Sequence, residues 1–161
     1  MMEVAAIIPA YNEEKNIGLV LSVVTQIPEI GEIVVVNDGS TDRTSQIALS
    51  FGVKLIELKE NQGKSLAMWA GVQHTTSPII LFLDADLIGL TKGHIREMIF
   101  PIIQGYADMT LGIFCCGRSV TDLAQKIAPY LTGQRAMKRW VLDGLHQEDW
   151  QTGFGIEMAI T

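Results

Sequence analysis

The sequence predicts an α/β domain: a mainly parallel sheet flanked by helices. Three observations lead there. Short β-branched runs alternate along the chain with segments of about a dozen residues whose apolar side chains recur at helical spacing. One run, 78–83, is apolar at every position, as a strand buried on both faces requires. Polar, turn-rich clusters follow the first, second and fourth runs directly, where parallel sheets gather their ligand-binding residues. A length of 161 residues with 48% hydrophobic content suits a single domain, 1–161, around one core.

The elements follow in order. Residues 4–8 form an apolar run closed by Pro9, and 15–26 carry Ile17, Val20, Leu21 and Val24 on one helical face. Residues 32–36 form the second run, ended by the turn cluster Asn37-Asp38-Gly39-Ser40-Thr41-Asp42, which is rich in residues that cap helices; 44–51 then reads as helix. A third strand is expected at 53–58, a helix at 63–74, the buried strand at 78–83, a helix at 93–104 and a strand at 108–114. Right-handed βαβ connections would place the residues after Ile8, Val36 and Leu83 along one edge of the sheet.

Composition excludes several classes. A net charge of −6 argues against a general nucleic-acid binder, which needs a surplus of Lys and Arg facing phosphates. The only cysteines, Cys115 and Cys116, are adjacent and suit neither a disulfide framework nor a CxxC metal site. The start, Met1-Met2-Glu3-Val4, lacks a basic leader, and no apolar run approaches the ~18 residues of a membrane span. The expectation is a soluble cytoplasmic chain, with peripheral membrane contact left open.

The most informative cluster is Asp84-Ala85-Asp86. In extended backbone, residues i and i+2 project from one face, whereas on a helix they diverge by roughly 200°. Two carboxylates can then share one cation, and hard oxygen donors suit Mg²⁺ or Mn²⁺ bridging to substrate phosphates. Asp-x-Asp also occurs as two solvated turn aspartates; its place after a buried strand favours the metal. Pro9-Ala10-Tyr11-Asn12-Glu13-Glu14 can hold a nucleotide near a helix N-terminus, or serve only as a cap with Asn12 at the N-cap and Glu13 and Glu14 in the first turn. Neither GxGxxG nor a Walker pattern is present. Asp38 can accept from a ribose hydroxyl or a base N–H, or simply form a turn with Gly39. Asn61-Gln62-Gly63-Lys64-Ser65 supplies a glycine turn and a cation before a helix, suited to a diphosphate or to solvent.

In their order and spacing, Ile7 to Glu14, Asn37 to Asp42, Asn61-Gln62-Gly63-Lys64 and Asp84-Ala85-Asp86 resemble family 2 glycosyltransferases of the GT-A fold, a Rossmann-like architecture. The resemblance covers nearly the whole chain. It implies a nucleoside-diphosphate-sugar donor of UDP or GDP type, with Pro9, Ala10, Tyr11, Glu13 and Asp38 around the nucleoside, Lys64 and Ala85 near the donor, and Asp84 and Asp86 as a DXD motif on the metal. Residues 1–115 would be the donor half and 116–161 the acceptor half.

Gly117-Arg118-Ser119-Val120-Thr121-Asp122-Leu123 resembles the acceptor loop of glucosyl-3-phosphoglycerate synthases, which implies contacts from Gly117, Arg118 and Thr121 to an anionic acceptor. The arginine offers a bidentate fork for phosphate or carboxylate; its plainer role is an exposed residue opening a helix capped by Thr121. Residues 123–142 hold no acid, while Lys126, Arg135, Lys138 and Arg139 add positive charge. A solvated helix face is the preferred reading of that run, and an anionic acceptor or lipid surface the other. Gly133-Gln134-Arg135-Ala136-Met137 resembles a segment of polyprenyl-phosphate sugar transferases, which supports a lipid-phosphate acceptor as a rival.

Glu148, Asp149 and Glu157 lie where inverting relatives carry the acid that deprotonates the acceptor; Glu157, in Gly153-Phe154-Gly155-Ile156-Glu157, is favoured for a site role and Asp149 is the second candidate. His74, His94 and His146 lack ligand spacing, Trp69, Trp140 and Trp150 suit core or acceptor-side packing, and Met68 and Met137 read as core at helical spacing. The resembled families continue past Glu157, so the acceptor half is expected to lack its final strand and helix. The competing class is therefore an incomplete, non-catalytic nucleotide-sugar-binding module. A nucleotidyltransferase would show a glycine-rich basic loop after Ile8, and none is there.

Overall fold

The computed structural model describes residues 4–112 and 133–151. Its strands are β1 (Val4–Ala10), β2 (Ile30–Asp38), β3 (Lys54–Leu58), β4 (Ile79–Phe82), β5 (Met109–Leu111) and β6 (Arg135–Lys138). They form one sheet in the order β3-β2-β1-β4-β6-β5. β1 pairs in parallel with β2 (Ile8 opposite Val35) and with β4 (Ile7 opposite Phe82), and β2 pairs in parallel with β3. β6 runs antiparallel to both β4 and β5.

Four helices connect or flank these strands: α1 (Ile17–Val24), α2 (Thr44–Ser50), α3 (Lys64–Gln73) and α4 (Lys92–Ile103). A short α5 (Gln147–Trp150) follows a 3-10 turn at Arg139–Leu142. Alternation along the strands builds two cores. Ala6, Ile8, Leu81 and Leu83 face α1 and α4, where Ile17, Leu21, Ile95 and Ile99 are fully buried. Ala5, Ile7, Ile80 and Phe82 face α3 and meet Met68, Met137 and Trp150. The Trp150 ring stands edge-on to Phe82, with centroids 6.5 Å apart at 61°.

The alternating pattern expected from sequence is present, with boundaries moved by a few residues. The basic run is corrected. Where described, it is not a solvated helix face: residues 135–138 are strand β6, Arg135 is fully buried, and Lys138 pairs with Asp108 at 2.7 Å. Met137 is core, as expected, but in a strand rather than on a helix. Trp140 departs from the packing role and is 58% exposed. Asn12 is not a helix cap, because α1 begins at Ile17 with Asn16 at its N-cap. No helix among the described residues is long and apolar enough to cross a membrane.

Candidate active site

The carboxyl ends of β1, β2 and β4 bring their loops together. Asn12 adopts a left-handed backbone, φ 55°, and reaches across to the loop after β2. Its N–H donates to Ser40 Oγ and its side-chain oxygen accepts from Thr41 N–H, each at 2.9 Å. The contact continues: Glu13 N–H donates to Thr44 Oγ1 at 2.9 Å and Glu14 N–H to Asp42 Oδ2 at 3.0 Å. Asp42 Oδ1 in turn accepts from Thr44 N–H. Two loops from different strands are thus fastened by at least four hydrogen bonds, and the backbone carrying Tyr11 and Glu13 is held in place.

Asp38, at the last position of β2, is 3% exposed. Its Oδ1 accepts from Gln62 N–H at 2.8 Å and its Oδ2 from Gly63 N–H at 2.9 Å. The carboxylate therefore clamps the third loop, and what remains for a ligand is the second lone pair of each oxygen. The clamp fixes the start of α3 and hence Lys64.

Lys64 opens α3, where a cation opposes the helix dipole and needs a counter-charge. Asp84 supplies it at 2.6 Å through Oδ1. Its other oxygen accepts from Gln134 Nε2 at 2.6 Å. Strand β4 ends at Phe82, and Asp84 and Asp86 lie beyond it, the first half-buried and the second exposed. Both line one cleft of about 400 Å³ with Pro9, Ala10, Tyr11 and Glu13. Asp38, Lys64 and Ala85 line it too, as do Asn61, Gly63 and Ala67. Every donor-side residue expected from sequence therefore borders a single cavity.

The charge of that cleft is informative. Glu13, Asp38, Asp84 and Asp86 face one lysine across it, so a diphosphate would enter against net negative charge. A divalent cation removes the conflict. Among the described residues no group of three or more His, Cys, Asp or Glu side chains is placed to hold a metal alone. Two carboxylates with waters and substrate phosphates are, however, what Mg²⁺ or Mn²⁺ takes when it is not caged by protein. Asp86 and the remaining lone pairs of Asp84 fit that description.

The acceptor-side expectations fare differently. Gly117, Arg118, Thr121, Lys126 and Glu157 lie outside the described residues. Asp149 is absent from the cleft lining and caps α5, its Oδ2 accepting from His146 N–H at 2.7 Å. Sequence reading missed the fastening role of Asn12, Ser40, Asp42 and Thr44, and also Gln134. Their signal was their residue type, Asn, Asp, Ser and Thr being those that bond to nearby backbone. Which partner each takes depends on loops meeting in space.

Asp42 makes this fastening sensitive to acid. Burial raises its carboxyl pKa, but bonds from the Thr44 hydroxyl and from the Thr44 and Glu14 N–H groups outweigh burial and hold it below the usual value. A carboxyl lowered by folding contributes stability that is complete above its unfolded pKa and is lost as pH falls through the lowered value. Urea titrations of the chain and of Asp42→Asn should therefore show the native protein more stable at neutral pH. The gap should narrow as pH falls below the ordinary aspartate range and close once it has passed the lowered value; a gap independent of pH would refute the assignment.

The model of the family described as Glycosyl transferase family 2 matches residues 5–157. The 4,4'-diaponeurosporenoate glycosyltransferase of Staphylococcus aureus is 39% identical over 98 residues, covering 58% of this chain and 26% of that protein. Among solved structures, glucosyl-3-phosphoglycerate synthase from Mycobacterium tuberculosis with Mn²⁺, UDP-glucose and phosphoglyceric acid superposes with a TM-score of 0.81 at 25% identity. The same enzyme with Mg²⁺ and UDP gives 0.80 at 24%. Each comparison covers 99% of this chain and 63% of the synthase, so the chain spans under two thirds of these structures and about a quarter of the curated relative.

Proposed function

The chain belongs to glycosyl transferase family 2, and from that membership we propose that it transfers a sugar from a nucleoside-diphosphate sugar, of UDP type, to a hydroxyl-bearing or phosphate-bearing acceptor with the help of Mg²⁺ or Mn²⁺. The observation that carries the reading is the cleft after β1, β2 and β4, where Asp84 and Asp86 face Lys64 beside Tyr11 and Asp38. Solved synthases of the same fold hold Mn²⁺ together with UDP-glucose or Mg²⁺ together with UDP. Bound there, the metal would neutralise charge developing on the leaving diphosphate.

The chain's own residues do the rest. Pro9, Ala10 and Tyr11 line the wall for the nucleoside, with Glu13 and the spare lone pairs of Asp38 as acceptors for hydroxyl or base N–H groups. Lys64 offers an ammonium to the diphosphate and Asp86 an open carboxylate to the cation. Asp149 is committed to capping α5, which favours Glu157 as the group that takes the acceptor proton. The acceptor half, 116–161, would use Gly117, Arg118 and Thr121 against an anionic acceptor. A lipid-like acceptor, with peripheral membrane contact at the cytoplasmic face, is the second reading. It is favoured by the 39% identity to a protein named for diaponeurosporenoate.

A thermal-shift panel of UDP and GDP sugars with and without Mn²⁺ tests the proposal. A ligand at 100 times its Kd stabilises by about 2.7 kcal/mol, roughly 5–10 °C for a chain of this size. Stabilisation is expected for a UDP sugar with Mn²⁺ and should vanish in EDTA. Sugar release or transfer in the same mixtures separates an enzyme from a binding module. No shift across the panel would reject both.

A further inference from the structure

Gln134 sits 4% exposed at the entrance to β6, held from both sides. Its backbone carbonyl accepts from Gly112 N–H at 2.9 Å, and a Cβ on Gly112 would approach Gln134 Cβ to 3.1 Å. The side chain runs to Asp84, 50 residues away in sequence, with Nε2 2.6 Å from Oδ2. A carboxylate only accepts, so the amide must present its nitrogen. Lys64 holds the opposite oxygen at 2.6 Å. Gly133 completes the arrangement: a Cβ there would overlap the Lys64 ammonium and lie 2.6 Å from Asp84 Oδ1. The glycine leaves the space in which lysine and aspartate meet.

We infer that Gly133 and Gln134 form a positioning element for the cation site, orienting Asp84 from the acceptor side of the sheet so that its remaining lone pairs face the bound metal and diphosphate. The inference rests on the transferase reading for what the cleft binds. With one donor on each oxygen, rotating the Asp84 carboxylate would break both contacts. Metal ligands fixed by such outer partners typically lose 10–100-fold in affinity when the partner is removed. Gln134 donates without charge, so it orients Asp84 without neutralising it, while Lys64 supplies the counter-charge. Strand β6 is thereby wired to the donor cleft.

The test uses the whole chain with UDP as the probe. Mn²⁺ is titrated into saturating UDP, bound metal is read from the loss of the free-ion EPR signal, and melting is followed separately in EDTA. Gln134→Met removes the donor with little change in bulk, and Gly133→Ala forces Lys64 and Asp84 apart. Both should raise the Mn²⁺ Kd by about tenfold, while the metal-free chain remains folded at the assay temperature. A Kd within about twofold of the parent in either folded variant overturns the inference. If the parent itself takes up no Mn²⁺ with UDP, the transferase reading fails and this inference falls with it. Weak binding confined to the variants' unfolded fraction would reduce Gln134 to a structural role and also count against it.

Discussion

Asp86→Ala is expected to abolish Mn²⁺-dependent binding of the nucleotide donor while leaving the fold intact. The side chain is exposed and lines the cleft, and no ion pair or hydrogen bond among the described residues uses it. Removing it should change stability by no more than about 0.5 kcal/mol, the usual range for such surface positions. Binding is another matter. Asp84 is already engaged by Lys64 and Gln134, so Asp86 is the carboxylate with the most capacity for a cation. Its loss should exceed the 10–100-fold that even outer-shell changes cost, roughly 3 kcal/mol or more. Calorimetric titration of UDP with Mn²⁺ would show the heat disappear. Unchanged affinity would sink the metal assignment and leave the cleft to bind its ligand by other means.

Gly39→Ala should be the most damaging single methyl in the donor half. Gly39 has φ 72°, in the left-handed region, where an L side chain costs about 1–2 kcal/mol. The new Cβ would also lie 2.6 Å from the carbonyl carbon of Glu60 and 2.7 Å from Asn61 N, both backbone atoms that cannot rotate aside. Displacing that loop adds about 1–3 kcal/mol. A total near 3 kcal/mol corresponds to a fall of roughly 6–12 °C in Tm. The loop forced outward is the one Asp38 clamps at Gln62 and Gly63, so Lys64 would move with it. Donor binding should weaken together with stability. Melting within about 2 °C of the parent would show that the 60–61 segment yields more readily than its backbone contact implies.

These two sites differ in how much the sequence told of them. Asp84 and Asp86 were legible because a wholly apolar strand precedes them, and because residues just past a buried parallel strand meet at the sheet edge. The strands themselves were legible for the same reason: their β-branched residues alternate with helices of clear period. Strand β6 was not. Its four residues include two cations, and charge suggested solvent; the burial of Arg135 is set by packing against β4, which no local pattern encodes. Asn12 failed similarly. Its type fits a cap, yet its partners lie 28 and 29 residues away. Asp38 borders the cleft because it ends a parallel strand, which the sequence pattern shows, but its grip on Gln62 and Gly63 required knowing where β3 returns the chain.

The antiparallel β6 has a consequence for how the molecule is made. It covers the edge of β4, and β5 joins the sheet only through β6. During synthesis the apolar edge Ile79–Phe82 therefore waits, unpaired on one side, until residues 135–138 have emerged. An open strand of this composition is a template for pairing with other chains. A ribosome-bound intermediate ending before β6 would be sticky, and β5 would have no partner strand. Among the described residues, the last strand to emerge is thus the one that joins β5 to the rest of the sheet.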